Sequence, residues 1–448
     1  MRNPLRNPFL KKQVLVTLCA SLTVGGCSLE VGDLNNPGLD AIRETPTPAG
    51  VFSVATGLLI GNRAGVSAQN GYVAQLGILG RESFTLDPAD PRYVTEMVRG
   101  TLNPGSPAFG GSNWNAPYAN IRNANTLLSM VDKVSGLTDA QKEATRGFAK
   151  TIQAIDFLVA INTRDENGAP IDVGGDITEL APIEPKAVVF THIATLLDEA
   201  KAHLTAGGTA FPFPLSSGYD GFDTPPDFIA FNRALKARVE VYRGNFTSAL
   251  TALDESFLDL AAPLELGVYH TYSTSSGDAT NALFSNGNII ANPLLVTEAE
   301  RKLTGDVDDR VTRKIGTLEK EVKYDDAIRS TYEFILYDSA SAPIPIIRNE
   351  ELILLRAEAN IGLGNIPTAA EDLNFIRVTS GGLTAREDIT AANALDELLR
   401  QKRYSLLFEG GHRWIDLRRY NRLETIATPD SVINRAFPLP SPETDARK

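Results

Sequence analysis
Two stretches of this chain, 120 residues apart, repeat one helical-hairpin pattern, and that repeat narrows the fold more than any other feature. Leu235, Ala237, Gly244, Asn245, Ala249 and Leu253 align with Leu355, Ala357, Gly364, Asn365, Ala369 and Leu373. In each copy a helical run ends at Gly-Asn, where a left-handed turn stops the first helix without a Cβ penalty. The alanine five residues after the glycine lets the second helix pack closely on the first. The copies, in 228–260 and 349–378, are not adjacent, so a regular solenoid is not implied. Helical periodicity recurs elsewhere. Trp114, Tyr118, Ile121 and Asn125 recur at steps of 4, 3 and 4; Phe148, Ile152, Ile155 and Val159 do so within 138–162. Phe190, Ile193, Leu197, Ala200 and Leu204 follow, and a last run covers 391–408. No sustained strand alternation matches these runs. Residues 163–185 and 207–227 are rich in Gly, Pro and Asp, and 262–345 is long and irregular; loops of such length are often functional. A mainly α fold follows, with helix pairs forming a scaffold that carries long irregular loops.

The hairpins resemble the tetratricopeptide helix pair, although its full signature is missing. The amino terminus has a different character. Arg2, Arg6, Lys11 and Lys12 precede a short apolar run from Val14 to Val24, which ends in Gly25, Gly26 and Cys27. A basic start, a short apolar core and small residues before a cut site read as a secretory signal. The apolar run is too short to span a bilayer, which takes roughly 20 residues. Cys27 directly after two glycines resembles a bacterial lipobox, in which the thiol carries diacylglycerol. Ser28, not Asp, follows it, which favours outer-membrane over inner-membrane anchoring. The expected organisation is a lipoprotein signal at 1–26, an acylated tether at 27–48 and a single domain at 49–448. Cys19 leaves with the leader and Cys27 becomes a thioether. The mature chain then has no free thiol for a cysteine protease, a thiolate zinc site or an iron–sulfur cluster.

The full chain carries a net charge of −12. Removing the leader takes four positive charges and no negative one, leaving −16. Such a chain lacks the basic balance of a general nucleic-acid binder. It also has no electrostatic pull toward an acidic membrane, so acyl chains must do the anchoring. Catalytic constellations are sparse: there is no His-Glu-x-x-His and no phosphate loop. His192 and His203 are 11 residues apart, about 16 Å along one helix. His270 and His412 stand alone. Asp306, Asp308 and Asp309, or Asp220 and Asp223, could meet Ca²⁺, but neither run has the Gly and Glu of an EF-hand loop, and a solvated acidic loop is the reading adopted. No cofactor and no metal site is expected.

The C-terminal motifs carry a family resemblance. Pro345 to Ala359 leads into Gly364-Asn365 and then Leu373 to Arg377. Leu406 to Arg419 includes Glu409, Gly410, Gly411, His412, Arg413, Trp414, Asp416 and Arg418, and Phe437 to Pro440 follows. In that order, with the lipobox and the Trp114–Asn125 stripe, the chain resembles the SusD/RagB family. The resemblance implies an outer-membrane, cell-surface lipoprotein built on tetratricopeptide-like helix pairs. It implies binding of glycans or other nutrients and their delivery to a SusC-like TonB-dependent transporter. One departure is that the family often has Glu-Arg where this chain has Gln401-Lys402, which weakens an ion-pair assignment there. Glu350, Glu358, Glu409, Arg413, Asp416 and Arg418 read as structural salt bridges or caps rather than a catalytic cluster. Trp414 reads as core.

Sugar recognition needs aromatic faces for the C–H side of the ring and planar polar groups for the hydroxyls. Two loops combine these types: Phe84, Asp87, Arg92 and Tyr93 in one, and Tyr269, Tyr272, Asn281 and Phe284 in the other. They are the candidate ligand-binding residues, with stacking on Tyr93 and Tyr272 expected to leave stability nearly untouched when either ring is removed. Non-catalytic binding of an oligosaccharide or other small nutrient is the leading function. The alternatives are a helical-repeat surface scaffold that binds proteins and a glycoside hydrolase, which needs two acids roughly 5–10 Å apart in a cleft.

Overall fold
A computed structural model describes residues 44–175 and 179–448. The leader, Cys27 and the tether as far as residue 43 lie outside the described residues. The first helix, α1 (Pro48–Arg63), begins where Thr47 Oγ1 accepts from Gly50 N at 3.1 Å and Pro48 occupies the first helical position. Both are standard helix-start chemistry. After α2 (Tyr72–Leu79) and the short β1 (Ser83–Thr85) come three long helices, α3 (Asn115–Lys133), α4 (Asp139–Arg164) and α5 (Lys186–Thr205). A capping box of Thr138 and Gln141 opens α4. The helical stripes read from the sequence fall on these elements.

The first repeat forms α6 (Pro225–Arg243) and α7 (Phe246–Asp254). Next come the strands β2 (Gly267–His270), β3 (Ile289–Ala291), β4 (Ile315–Lys323), β5 (Arg329–Phe334) and β6 (Ile344–Arg348). The second repeat forms α8 (Asn349–Gly362) and α9 (Ile366–Thr379), and α10 (Ala394–Ser405) and α11 (His412–Arg419) close the chain's main run. Gly244 has φ 75° and Gly364 φ 78°, so both hairpins turn through the left-handed region as the repeat requires. Ala249 and Ala369 are fully buried under their partner helices. The two copies also meet, because α8 packs on both α6 and α7. Neighbouring contacts run from α1 to α3, α4, α5 and α6, so the scaffold is a continuous row of helices within the compact unit Pro46–Lys448.

The loop-rich region holds more strand than its sequence suggests. Among the described residues three two-stranded antiparallel sheets form: β1 with β3, β2 with β6, and β4 with β5. β1 and β3 are three residues long and pair across 200 residues of sequence, Phe84 facing Ile290. β4 has a register shift between Thr317 and Val322. Short strands and a bulge leave no period-two pattern to read.

The C-terminal motif is core. Trp414 is fully buried with Phe437, Tyr93 and Phe109 in one cluster, and its Nε1 donates to Asn434 O at 3.0 Å. Lys402 is ion-paired despite the departure at Gln401-Lys402: its Nζ lies 2.6 Å from Glu358 and 2.9 Å from Asp416. Arg419 bonds the same two carboxylates at 2.8 Å each. Glu409 takes Lys314 and Arg348, Glu350 takes Arg348, and Arg418 reaches Asp165. Among the described residues Arg413 is the one charged group of the motif without an ion pair, and its Nε and Nη1 are buried without a partner. It lines a cavity of about 350 Å³ between α10 and α11, with Arg400, Arg403 and Arg422.

Candidate carbohydrate-binding site
The sequence-predicted loops come together, but several of their side chains turn inward. Phe84 is 8% exposed, Tyr93 5%, Tyr272 6% and Asn281 2%. Phe84 is held by the β1–β3 pairing, and Tyr93 packs edge-on against Phe109 at 4.9 Å. Asn281 Nδ2 donates to Ala342 O at 2.9 Å and so closes its own loop. Tyr272 lies under the Arg63 guanidinium, 5.6 Å away. The expectation that Tyr93 and Tyr272 are free stacking faces whose removal spares stability is corrected by this burial. Asp87 and Tyr269 are half-buried, Arg92 is exposed, and Phe284 is 38% exposed. Asp87 accepts from Gln69 Nε2 at 2.7 Å, and Asn288 donates to the same amide at 2.9 Å. Arg92 pairs with Asp90 and sits 4.8 Å over Phe109, while Tyr269 donates to Glu265 O. Both loops therefore flank the turn between α1 and α2.

That turn and the loop before α3 build a cleft that no single motif announces. Residues 64–71 fold tightly, with Gly71 N donating to Ala68 O at 2.8 Å and Tyr72 N to Gly65 O at 3.0 Å. A Cβ on Gly71 would stand 1.9 Å from Gly65 O, so only glycine fits. Facing it, Ser112 Oγ donates to Ala108 O at 2.7 Å, and Asn113, with φ 56°, donates to Gln75 Oε1 at 3.0 Å. Arg164, at the end of α4, donates from Nη2 to Ser112 O at 2.8 Å and lies 5.0 Å from the Trp114 ring. Burial pulls its pKa down to about 9, still well above neutral.

Two cavities flank the start of α3. The smaller, about 210 Å³, is lined by Asn62, Asn70, Tyr72, Asn113, Asn115 and Asp156 among others, and by no Lys, Arg or His. The larger, about 530 Å³, is lined by Trp114, Asn115, Tyr118, Arg122, Asp172 and Arg447 among others. Asn115 borders both. Trp114 and Tyr118 stand with ring centres 4.6 Å apart, and Tyr118 OH donates to Pro170 O at 2.9 Å. Trp114 is 5% exposed and backs the half-buried Tyr118, so the arrangement offers the Tyr118 ring on one side and side-chain amides on the other.

At the floor of the smaller cavity, Asp156 of α4 is 2% exposed. Asn62 Nδ2 donates to its Oδ1 and Asn120 Nδ2 to its Oδ2, each at 2.7 Å. Burial outweighs both bonds and pushes its carboxyl up to about 8, so it is mostly neutral at pH 7. Sequence reasoning passed over these residues. The available signals were the amide-rich turns Gln69-Asn70-Gly71 and Ser112–Asn115, and one acid inside the apolar run Ile152–Val159.

Chemistry elsewhere is consumed by packing. His192 stands edge-on to Phe157 at 5.0 Å, and His203 Nδ1 is 2.5 Å from Glu143. Asp308 pairs with Arg310 at 2.5 Å and Asp309 with Lys302 at 2.7 Å, which accounts for the acidic loop. Among the described residues no group of three or more His, Cys, Asp or Glu is placed to hold a metal, and no helix is long and apolar enough to cross a membrane.

Comparison with known proteins places this fold. The SusD family model matches residues 318–437. A SusD-like carbohydrate-binding protein from Bacteroides fragilis NCTC 9343 is similar with a TM-score of 0.68 at 14% identity, over 89% of this chain and 98% of that one. A putative sugar-binding protein from Bacteroides vulgatus ATCC 8482 is similar with a TM-score of 0.64 at 18% identity, over 89% and 96%. A laminarin-binding SusD-like protein is similar with a TM-score of 0.62 at 17% identity, over 89% and 97%. A comparison with curated proteins finds no sequence match. The fold is SusD-like. The SusD/RagB resemblance read from the C-terminal motifs is borne out over residues 318–437, which match the SusD family model within that fold.

Proposed function
We propose that the protein binds a carbohydrate, without turning it over, in the cleft around the start of α3. The supporting observation is the arrangement at that helix start: the half-buried Tyr118 ring, backed by the buried Trp114, on one side of Asn115, and Asn62, Asn70 and Asn113 on the other. Rings suit the C–H face of a sugar, and amides suit its hydroxyls in both donor and acceptor senses. The names of the structural neighbours favour the same ligand class. Asp87, Arg92, Tyr269 and Phe284, on the loops flanking the α1–α2 turn, form an outer rim for longer chains. Binding rather than hydrolysis is favoured by the structural neighbours named for sugar and laminarin binding; the smaller cavity is lined by one carboxylate, Asp156, while Asp172, Glu179 and Glu443 line the larger. In this reading acyl chains on Cys27 hold the protein in the outer membrane at the cell surface, and it passes its ligand to a TonB-dependent transporter.

Laminarin is the first probe. Calorimetric titration is expected to show binding that falls about tenfold in Asn115→Ala, with no new reducing ends after long incubation. Equal binding in that variant, or release of reducing ends that survives purification, overturns the reading of the site or of its inactivity. Cys27→Ala is expected to move the protein out of the membrane fraction and abolish lipid labelling; unchanged retention overturns the anchor.

A further inference from the structure
The smaller cavity gathers acceptors and, among the described residues, no cation. Asp156 presents two carboxyl oxygens, each held by one amide N–H. The same two amides leave two oxygens buried without a partner: Asn62 Oδ1, whose side chain lines the cavity, and Asn120 Oδ1, which lies against Gly61 outside its lining. Asn120 Nδ2 is fully engaged, because it also donates to Leu58 O at 3.1 Å. None of the cavity's lining residues is basic, and its ionisable groups are Asp156 and the Tyr72 hydroxyl. The buried Tyr219 hydroxyl also feels Asp156, which raises it further. The end of α1 and the start of α3 both border the cavity, so their opposite partial charges offset one another. What remains is an uncharged floor whose one ionisable carboxyl can become negative when a cation enters. A neutral sugar hydroxyl would use one acceptor there; an ammonium group brings three donors and the charge that the carboxylate lacks.

We propose that this cavity takes a sugar bearing a protonated amine, with Asp156 as its counter-ion. The proposal rests on the reading of the cleft as the carbohydrate site and narrows its ligand class. Below about pH 8 the free carboxyl holds its proton. An ammonium ion against it favours the charged form, so the carboxyl gives up that proton to solvent as the ligand enters. The ammonium keeps its own proton, and the two opposite charges remain paired.

The test titrates glucosamine, N-acetylglucosamine and glucose into the mature protein at pH 6, in two buffers of different ionisation heat. Glucosamine is expected to bind at least tenfold more tightly than the two neutral sugars and to release close to one proton per site. Asp156→Asn keeps shape and removes charge; it is expected to abolish both the preference and the proton release, with an unchanged or higher melting temperature. Glucosamine bound no better than glucose, binding without proton release, or a preference that survives in Asp156→Asn would each overturn the proposal. If glucose binds with the same affinity as glucosamine, the amine preference fails and the carbohydrate reading stands. If none of the three binds while laminarin does, the amine proposal fails and the carbohydrate reading stands; if laminarin also fails to bind, both fail. The proton count is read on the wild type, so the outcome does not depend on the variant folding.

Discussion
The buried carboxylates of the C-terminal helices and the buried carboxylate under α3 are treated in opposite ways. Glu350, Glu358, Glu397, Glu409 and Asp416 each lie against at least one Arg or Lys. Asp156 lies against two amides. Burial raises Glu350 and Glu358, but Arg348 and Lys314 overcome it at the first, and Arg419 and Lys402 overcome it at the second, leaving each at about 2. At Asp156 burial wins, and the carboxyl stands at about 8. Glu350 and Glu358 are therefore fixed anions, and the ion pairs of Glu358 tie α8 to α10 and α11. The unpaired one is a neutral group beside a cavity, free to change charge when something charged arrives. The same residue type is structural in one region and responsive in the other, and the neighbouring cation decides which.

Breaking the paired side should have the largest effect. Glu358→Ala strands Lys402 and Arg419 beside one remaining acid, Asp416, and is expected to cost about 3–5 kcal/mol of stability. Urea denaturation measures it; a cost under about 1 kcal/mol would mean that the network is solvated in solution. The pH dependence sharpens the test. Because the folded pKa of Glu358 lies below its unfolded value, its contribution is present above about pH 4.5 and fades as pH falls toward 2. The gap between wild type and variant should close over that window.

Tyr93→Ala comes next, at about 3 kcal/mol, the scale for emptying a buried ring site. A thermal melt that leaves wild type and variant together would restore Tyr93 to the surface. The correction behind this prediction shows where the sequence was legible. Helix pairs, their Gly-Asn turns and the C-terminal core were readable, because local periodicity and turn chemistry set them and α8 joins the two copies. The ligand loops were less so. Tyr93 is buried by Phe109 from a later loop, and Phe84 by pairing with a strand 200 residues away, so no local pattern reports either burial. The cleft failed for a related reason: Asn62, Asn113, Asn120 and Asp156 converge from three helices and a loop, and each alone reads as a turn or helix amide.

Breaking the unpaired side should have the opposite sign. The folded pKa of Asp156 is raised to about 8, above the roughly 3.9 of an unfolded aspartate. Whatever it contributes is present below about pH 4 and is lost as pH rises toward 8, because the unfolded chain ionises first. Asparagine does not titrate. Asp156→Asn is therefore expected to match wild type near pH 4 and exceed it by roughly 1–3 kcal/mol at pH 8. A variant less stable than wild type at pH 8 would show that the carboxylate is held by a cation in solution, and the contrast between the two regions would collapse.

The smallest effect separates the cleft from its outer rim. Tyr118 and Phe284 are both partly exposed rings, but they differ in what holds them. Tyr118 stands beside Trp114 in the larger cavity, with its hydroxyl fixed on Pro170 O, so little further ordering is needed when a sugar stacks there. Phe284 projects from a loop, 38% exposed, and must be immobilised by any ligand that uses it. Ordering a side chain costs about 0.5–1.5 kcal/mol, comparable to the 0.5–1.5 kcal/mol that an aromatic contact contributes beyond burial. Tyr118→Ala is accordingly expected to weaken laminarin binding by about 1–1.5 kcal/mol, and Phe284→Ala by less than about 0.5 kcal/mol. Titrations of the two variants side by side decide it. The reverse order would move the main contact surface from the start of α3 to the 266–286 loop, and the amide-lined cavity would then lie beside the glycan's path rather than on it.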